Sequence, residues 1–270
     1  MRSGLNKQSF NKNKMENQQA WSNELEKEFK ETIHLYFDDK INNELNNKNA
    51  LTVGDNLGQL LKSSEEDIVK IITPRAVKKW ASPETLPLWE KFLKNEQMVL
   101  ELREIGKSIA NSMRPLAGNS FAIWVTKVLN KAFEVEKLPI TASTTGEAKK
   151  ALNRAIDDFS KNNKSFKPDT DIVVVKSDKI KVIAIISAKT TLAERVMQTI
   201  SWSNYLQTLP KEIQKIKLFL VTAWETFDKE STNKERVQQL DGVYVCNPNV
   251  AEYGNIKKFS KIIEDLKKLL

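Results

Sequence analysis

The sequence predicts an α/β protein, a mixed central sheet flanked by helices, with a helical region ahead of it. Three observations carry that expectation. Apolar residues in the first part of the chain recur at helical spacing, and β-branched runs appear only after residue 170. Helical patterns separate several of those runs, as in a sheet covered by helices. Charge divides too. Residues 1–110 hold 17 basic and 17 acidic side chains and residues 111–270 hold 26 and 18, so the net charge of +8 resides in the second part.

Taken in order, the first element is an amphipathic helix over Gln19 to Asp39, with Trp21, Leu25, Phe29 and Ile33 at every fourth position. The Asn-rich stretch from Ile41 to Asn56 reads as a loop around a weak helix. Asp67 to Ile72 reads as a further helix, stopped at Pro74, and Leu86 to Ala110 as a longer one. Pro115 to Ser120 marks a break. Phe121 to Phe133 is then a strongly apolar helix, Thr141 to Gly146 a turn, and Glu147 to Ser160 a second helix. After that the period changes. Asp171-Ile-Val-Val-Val175 and Ile180-Lys-Val-Ile-Ala-Ile-Ile186 form a hairpin around Lys176-Ser-Asp-Lys179. Thr190 to Leu206 is helical, Ile216 to Ala223 and Gly242 to Cys246 are buried strands, and residues 254–270 form a closing helix. These shifts divide the chain into a helical region, 1–112, suited to dimer or DNA contact, and a second domain, 113–270, that carries the chemistry.

Composition narrows the chemistry. The 270 residues include one cysteine, Cys246, and one histidine, His34. An internal disulfide, a multi-cysteine zinc site and a His-pair metal site are thereby excluded, and a Ser-His-Asp triad has little to draw on. What remains are carboxylates, lysines and a hard cation. No Gly-x-Gly-x-x-Gly occurs, and Gly106-Lys107-Ser108 has Glu101 where a phosphate loop needs its leading glycine, so no nucleotide cofactor is expected. The first twenty residues lack the apolar core of a signal peptide and no apolar run spans a bilayer, so the expectation is a cytoplasmic protein without membrane contact. The basic second half suits a polyanion, although a lysine-rich solubilising surface would look the same.

One constellation stands out: Lys167-Pro-Asp169-Thr-Asp171, the hairpin, then Ser187-Ala-Lys189-Thr190-Thr191-Leu192-Ala193-Glu194-Arg195. Alternate strand residues share a face, so Asp169 goes with Asp171 and Ser187 with Lys189. The hairpin brings the start of its first strand beside the end of its second. Carboxylates and a lysine then converge at one end of the sheet. Carboxylate oxygens with a backbone carbonyl and water suit Mg²⁺, and the lysine can orient or deprotonate an attacking water. Either residue alone would more often be an ordinary turn acid or a snorkelling lysine; the joint pattern favours chemistry.

These residues resemble the PD-(D/E)XK nuclease fold, most closely type II restriction endonucleases of the CCGG-reading, BsaWI-type subgroup. The resemblance rests on residues 167–200. It implies that Asp171, with Asp169 second, and the Ala188 carbonyl hold the metal, and that Lys189 is the motif lysine. Ser187 stands where the signature has Asp or Glu, a departure this subgroup tolerates by taking its second carboxylate from a helix. Glu147 is a candidate substitute for that carboxylate, because Ala122 occupies the position where the family often carries an acid. The subgroup's pattern further implies that Thr190, Thr191, Glu194 and Arg195 face DNA. Arginine can donate twice to guanine and glutamate can accept from cytosine N4. The implied protein is a Mg²⁺-dependent endonuclease that cuts double-stranded DNA at a palindromic, CCGG-like site. Palindromes call for a homodimer or a higher oligomer. Two rivals remain open: another nuclease of this fold, such as a junction resolvase or repair nuclease, and a DNA-binding module without catalysis. Of the tryptophans, Trp80 and Trp202 are the candidates for base stacking, His34 reads as structural, and Cys246 as a buried small hydrophobe.

Overall fold

The computed structural model describes residues 31–80, 118–147, 149–150, 152–153, 156, 170–177, 181–191, 195–223, 227 and 232–270. The chain forms two compact units, one of residues 1–39 and 65–116, the other of residues 40–64 and 117–270.

The first described helix, α1, covers residues 31–47. Ile33, Phe37 and Ile41 continue the four-residue spacing and are all buried. The helix therefore runs on through the Asn-rich stretch expected to be a loop. Asparagine costs only about 0.7 kcal/mol or less per helical position, which a buried apolar face offsets. Asn49 caps α2 (Ala50–Asp55), its side chain accepting from the Leu51 N–H. Helix α3 (Leu57–Trp80) is continuous through Pro74, where the sequence suggested a stop. The missing proline N–H removes one helical hydrogen bond, but the bonds on either side persist. In the first unit the Tyr36 hydroxyl donates to Asp67 at 2.7 Å, while His34 is exposed rather than packed.

Residues 40–64 fall in the same compact unit as the sheet. Two glycines explain why. A Cβ at Gly54 would overlap the Phe259 ring, and one at Gly58 would overlap the Ala223 carbonyl oxygen. That closeness lets the Gly58 N–H donate to the Cys246 carbonyl at 3.2 Å and the Ser260 N–H donate to Asp55 at 2.8 Å.

The second unit is mixed α/β. Its sheet has six strands in the order β1 (Ile140–Ser143), β2 (Ile172–Lys176), β3 (Lys181–Lys189), β4 (Lys217–Thr222), β5 (Gly242–Val245) and β6 (Ile256–Lys258). The pairs β1–β2 and β2–β3 are antiparallel; β3 to β6 run parallel. Two strands were not foreseen. The stretch read as a turn begins with β1, held by helix α4 (residues 118–135). The Asn130 side chain accepts from the Ala142 N–H at 2.8 Å and donates to its carbonyl at 2.9 Å. The closing element starts with β6, and only Ile262–Lys267 is α-helix (α8), following a short 3₁₀ turn at Phe259–Lys261. Both strands have three or four residues, too short to show alternation in sequence.

Central position explains the run that made β3 visible. Every residue from Ile183 to Lys189 is buried, since helices cover both faces of the sheet. On one face Val173, Ile185, Leu218, Leu220, Val243 and Val245 form a core with Val196, Ile200 and Leu206 of α5 (Arg195–Thr208). Leu152 and Ile156, from helical positions after residue 147, join them. Trp202 is buried there too, edge-on to Tyr205 at 5.7 Å, so it is a core residue and not a stacking platform. Trp80's side chain lies outside the described residues. On the other face Tyr244 meets Phe219 edge-on at 5.3 Å, and its hydroxyl reaches Asp265 of α8 at 2.7 Å. Two further helices follow α5: α6 (Lys211–Gln214), ahead of β4, and α7 (Thr232–Arg236), ahead of β5. Cys246 is fully buried, as expected, and burial pushes its thiol pKa well up.

Candidate active site

The site is built where β2 begins and β3 ends. The antiparallel register pairs Ile172 with Ile186, which brings Asp171, one residue before β2, level with Ser187. The Ala188 N–H donates to Asp171 Oδ2 at 2.8 Å, and the Ser187 hydroxyl approaches the same oxygen at 3.4 Å. Lys189 Nζ lies 2.8 Å from it as well. Carboxylate and ammonium thus share one end of the sheet, as the hairpin argument requires.

Burial makes the pair matter. Lys189 is 4% exposed and Asp171 20%, so the ammonium has lost nearly all its water and the carboxylate offsets part of that loss. Removing one partner of such a buried pair is far more costly than breaking a surface bridge. The sheet supplies the rigidity, because β3 is held on both sides, pairing Lys189 with Thr222 of β4 in the parallel register. Functional groups commonly gather at the carboxyl ends of parallel strands, where this one lies.

Three neighbours escaped sequence reasoning. Lys149, on the helical stretch after residue 147, donates from Nζ to the Thr170 carbonyl at 2.8 Å, fixing the residue ahead of Asp171. Thr170 and Thr222 are both buried, and neither hydroxyl oxygen has a hydrogen-bond partner among the described residues. Nothing in linear spacing marks Thr222, since its position beside Lys189 depends on a parallel register set across a whole crossover.

Other expected residues fare differently. Asp169 and Glu194 lie outside the described residues, as does the side chain of Arg195. The helix expected from Thr190 does not include Thr190 or Thr191, which are half-buried and exposed respectively; its described part, α5, runs from Arg195. Glu147 is exposed and pairs with Lys150 at 3.0 Å. Ala122, where an acid was wanted, is buried. Among the described residues no three Asp, Glu, His or Cys side chains gather around a common point. Nor is any described helix long and apolar enough to cross a membrane.

Comparison with known proteins adds to this geometry. Residues 149–269, somewhat less than half of the chain, match the family described as BsaWI restriction endonuclease type 2. The match includes Asp171, Ser187 and Lys189. This part of the chain is similar to type II restriction endonucleases. A protein of Methanocaldococcus jannaschii that carries the name of a type II restriction enzyme, MjaVIP, is 34% identical over 116 residues, 37% of this chain and 49% of that protein. The chain thus spans about half the length of that relative. Two solved structures resemble it more distantly. A complex of restriction endonuclease PspGI with substrate DNA has a TM-score of 0.49 at 18% identity, covering 88% of this chain and 92% of the other. A pre-specific complex of restriction endonuclease BsaWI with DNA has a TM-score of 0.40 at 12% identity, covering 91% of each.

Proposed function

We propose that the protein is a Mg²⁺-dependent, site-specific endonuclease that hydrolyses double-stranded DNA at a palindromic, CCGG-like sequence, acting as a homodimer or a higher oligomer. One observation carries the reading: Asp171 and Lys189 meet at 2.8 Å, at the carboxyl end of β3, inside the stretch that matches the restriction-endonuclease family. With Lys149 close by, the described charges at this corner sum to a positive value that favours a phosphodiester.

In this reading the residues divide the work. Lys189, nearly buried at a strand end, is held in place to orient the attacking water. Asp171 and the Ala188 carbonyl would hold Mg²⁺, with Asp169 as a further ligand. One or two carboxylates suffice for this ion, which keeps several waters and shares substrate phosphate oxygens. The bound ion would offset the charge that develops on the phosphate. Ser187, hydrogen-bonded to Asp171, sets the carboxylate's orientation. Glu147 would serve as the second carboxylate only by leaving Lys150. Glu194 and Arg195 read C·G pairs, with Thr190 and Thr191 facing the DNA backbone beside the cut. The helical region 1–112 contributes to dimerisation or DNA contact, and the domain 113–270 carries the nuclease chemistry.

The test is one incubation of the purified protein with Mg²⁺ and a plasmid of known sequence, followed by sequencing of the fragment ends. Discrete fragments with a common terminal sequence are expected. Random ends, or a preference for branched DNA, would move the protein to a resolvase or repair nuclease. A second reading, a DNA-binding module without catalysis, draws on Ser187 and on Ala122, two places where an expected acid is absent. Salt-sensitive DNA binding without cutting in Mg²⁺ or Mn²⁺ would select it.

A further inference from the structure

Several lysines of the second unit are matched to carboxylates: Lys189 to Asp171, Lys217 to Asp241, and Lys150 to Glu147. Lys149 is matched differently. Its ammonium donates to the Thr170 carbonyl at 2.8 Å, and no carboxylate among the described residues pairs with it. A carbonyl accepts the hydrogen bond but leaves the charge uncancelled. That carbonyl belongs to the residue just before Asp171, so the charge is fixed beside the end of the sheet where Asp171 and Lys189 meet. The Asp171–Lys189 pair is neutral as a whole, which leaves Lys149 to set the sign of this corner. Lys189 is nearly sealed off, whereas Lys149 is only half-buried and keeps access to a ligand arriving from solvent. Holding a lysine side chain still costs rotamer freedom, and here no ion pair offsets that loss. An anion that binds there meets an ammonium already in place.

We propose that Lys149 is a substrate-binding residue: anchored on the Thr170 carbonyl, it gives its remaining N–H donors to a DNA backbone phosphate at or beside the bond to be cut. This rests on the endonuclease reading of the site and adds a contact that fixes position without reading bases. The carbonyl decides where the ammonium stands, and the phosphate brings the counter-charge that the described side chains withhold.

The test is salt-dependent binding of the full chain, by fluorescence anisotropy, to two labelled duplexes, one with CCGG and one without it. Divalent cations are left out so that no bond is cut. Lys149→Gln and Lys149→Met both remove the charge, and glutamine keeps an N–H donor; Lys149→Arg keeps the charge. Lys217→Met is the control, since Lys217 opens β4 at the other end of the strand and is matched by Asp241. We expect the Gln and Met variants to bind both duplexes more weakly. The slope of log affinity against log salt should become shallower by about 0.9 per chain bound, as for the loss of one phosphate contact. Lys149→Arg and Lys217→Met keep the wild-type slope. An uncharged methylphosphonate, placed in turn at each phosphate around CCGG, should at one position weaken wild type while changing Lys149→Gln by less than about twofold, because both changes remove the same contact. An unchanged slope in Lys149→Gln and Lys149→Met, with circular dichroism like that of wild type, overturns the contact, makes Lys149 a strut for Thr170 and leaves the endonuclease reading standing. An equal change of slope in Lys217→Met overturns it as well, because the charge then acts from a distance. Wild type that binds neither duplex in a salt-dependent way removes the endonuclease reading, and the Lys149 contact with it.

Discussion

Two of the sheet's lysine–aspartate clusters, at Asp265 and at Asp171, are built for opposite ends. Asp265 on α8 accepts from the Tyr244 hydroxyl at 2.7 Å and Lys257 at 2.6 Å on Oδ2, and from Lys268 at 2.6 Å on Oδ1. Both of its oxygens are engaged. Burial alone would raise its pKa, but the hydrogen bonds from Lys257, Lys268 and Tyr244 outweigh it and hold the carboxyl at about 2. Tyr244 is pushed the other way, its pKa raised well above the ordinary phenol by burial and by the carboxylate beside it. At Asp171, by contrast, the donors among the described residues converge on one oxygen, Oδ2. Thr170, the residue before Asp171, and Thr222, the register partner of Lys189, carry buried hydroxyls without a partner among the described residues. The first cluster is closed and ties a helix to a strand. The second retains unused hydrogen-bonding capacity, which is what a site that must accept a cation and a phosphate requires.

Substitution sharpens the contrast. Lys189→Ala is expected to lower plasmid cleavage by about 10³-fold or more while circular dichroism and specific DNA binding persist, in keeping with loss of the group that positions the attacking water. Cleavage at the wild-type rate would break the assignment. Arg195→Ala should relax discrimination at one G·C pair by about 1–3 kcal/mol, read from cleavage rates on matched and single-substituted oligonucleotides. At the closed cluster the same measurements should barely move. Tyr244→Phe is expected to cost about 1.5 kcal/mol in urea unfolding, as for a hydrogen bond to a charged group, with cleavage unaltered. A fall in cleavage comparable to that of Lys189→Ala would show that the two clusters are not functionally separate.

Acid gives the gentlest test. Because Asp265 is held down at about 2, against an ordinary carboxyl near 3.8, its contribution to stability is present above pH ~4 and is lost as pH falls toward 2. The size is on the order of 1–2 kcal/mol, since part of the pairing, notably Lys268, is open to solvent. Thermal unfolding of Asp265→Asn should therefore lose less between pH 4 and pH 2 than the wild type does. An identical acid slope for both proteins would mean that the carboxylate's hydrogen bonds do not distinguish the folded from the unfolded state.

How much was legible in the sequence follows from the same physics. The Asp171–Lys189 pair could be read because a hairpin is local: a turn and two β-branched runs set its register within twenty residues. Strands β3, β4 and β5 declared themselves by continuous apolar runs. Strand β1 did not, because four residues anchored by a single Asn130 side chain leave no period to detect. Nor did the continuation of α1 through its asparagines, since the decisive evidence was Phe37 and Ile41 lying on one buried face. The outer parts of the site, Lys149 and Thr222, reach Asp171 and Lys189 through contacts between separate elements, which no spacing along the chain encodes. The acid expected on a helix was the least legible of all. Its position depends on how a helix is laid against the sheet, and Glu147 is turned outward to Lys150.

The Asn130 clasp on Ala142 has a consequence for self-association. Main-chain groups on the outer margin of a sheet are where a second molecule adds strand to strand, and here one helical amide occupies both groups of the residue in the middle of that margin. Two copies of this chain cannot zip together along β1 without first undoing that clasp. Any twofold pairing of copies is thereby turned away from this margin of the sheet, the one next to the strand that Asp171 precedes.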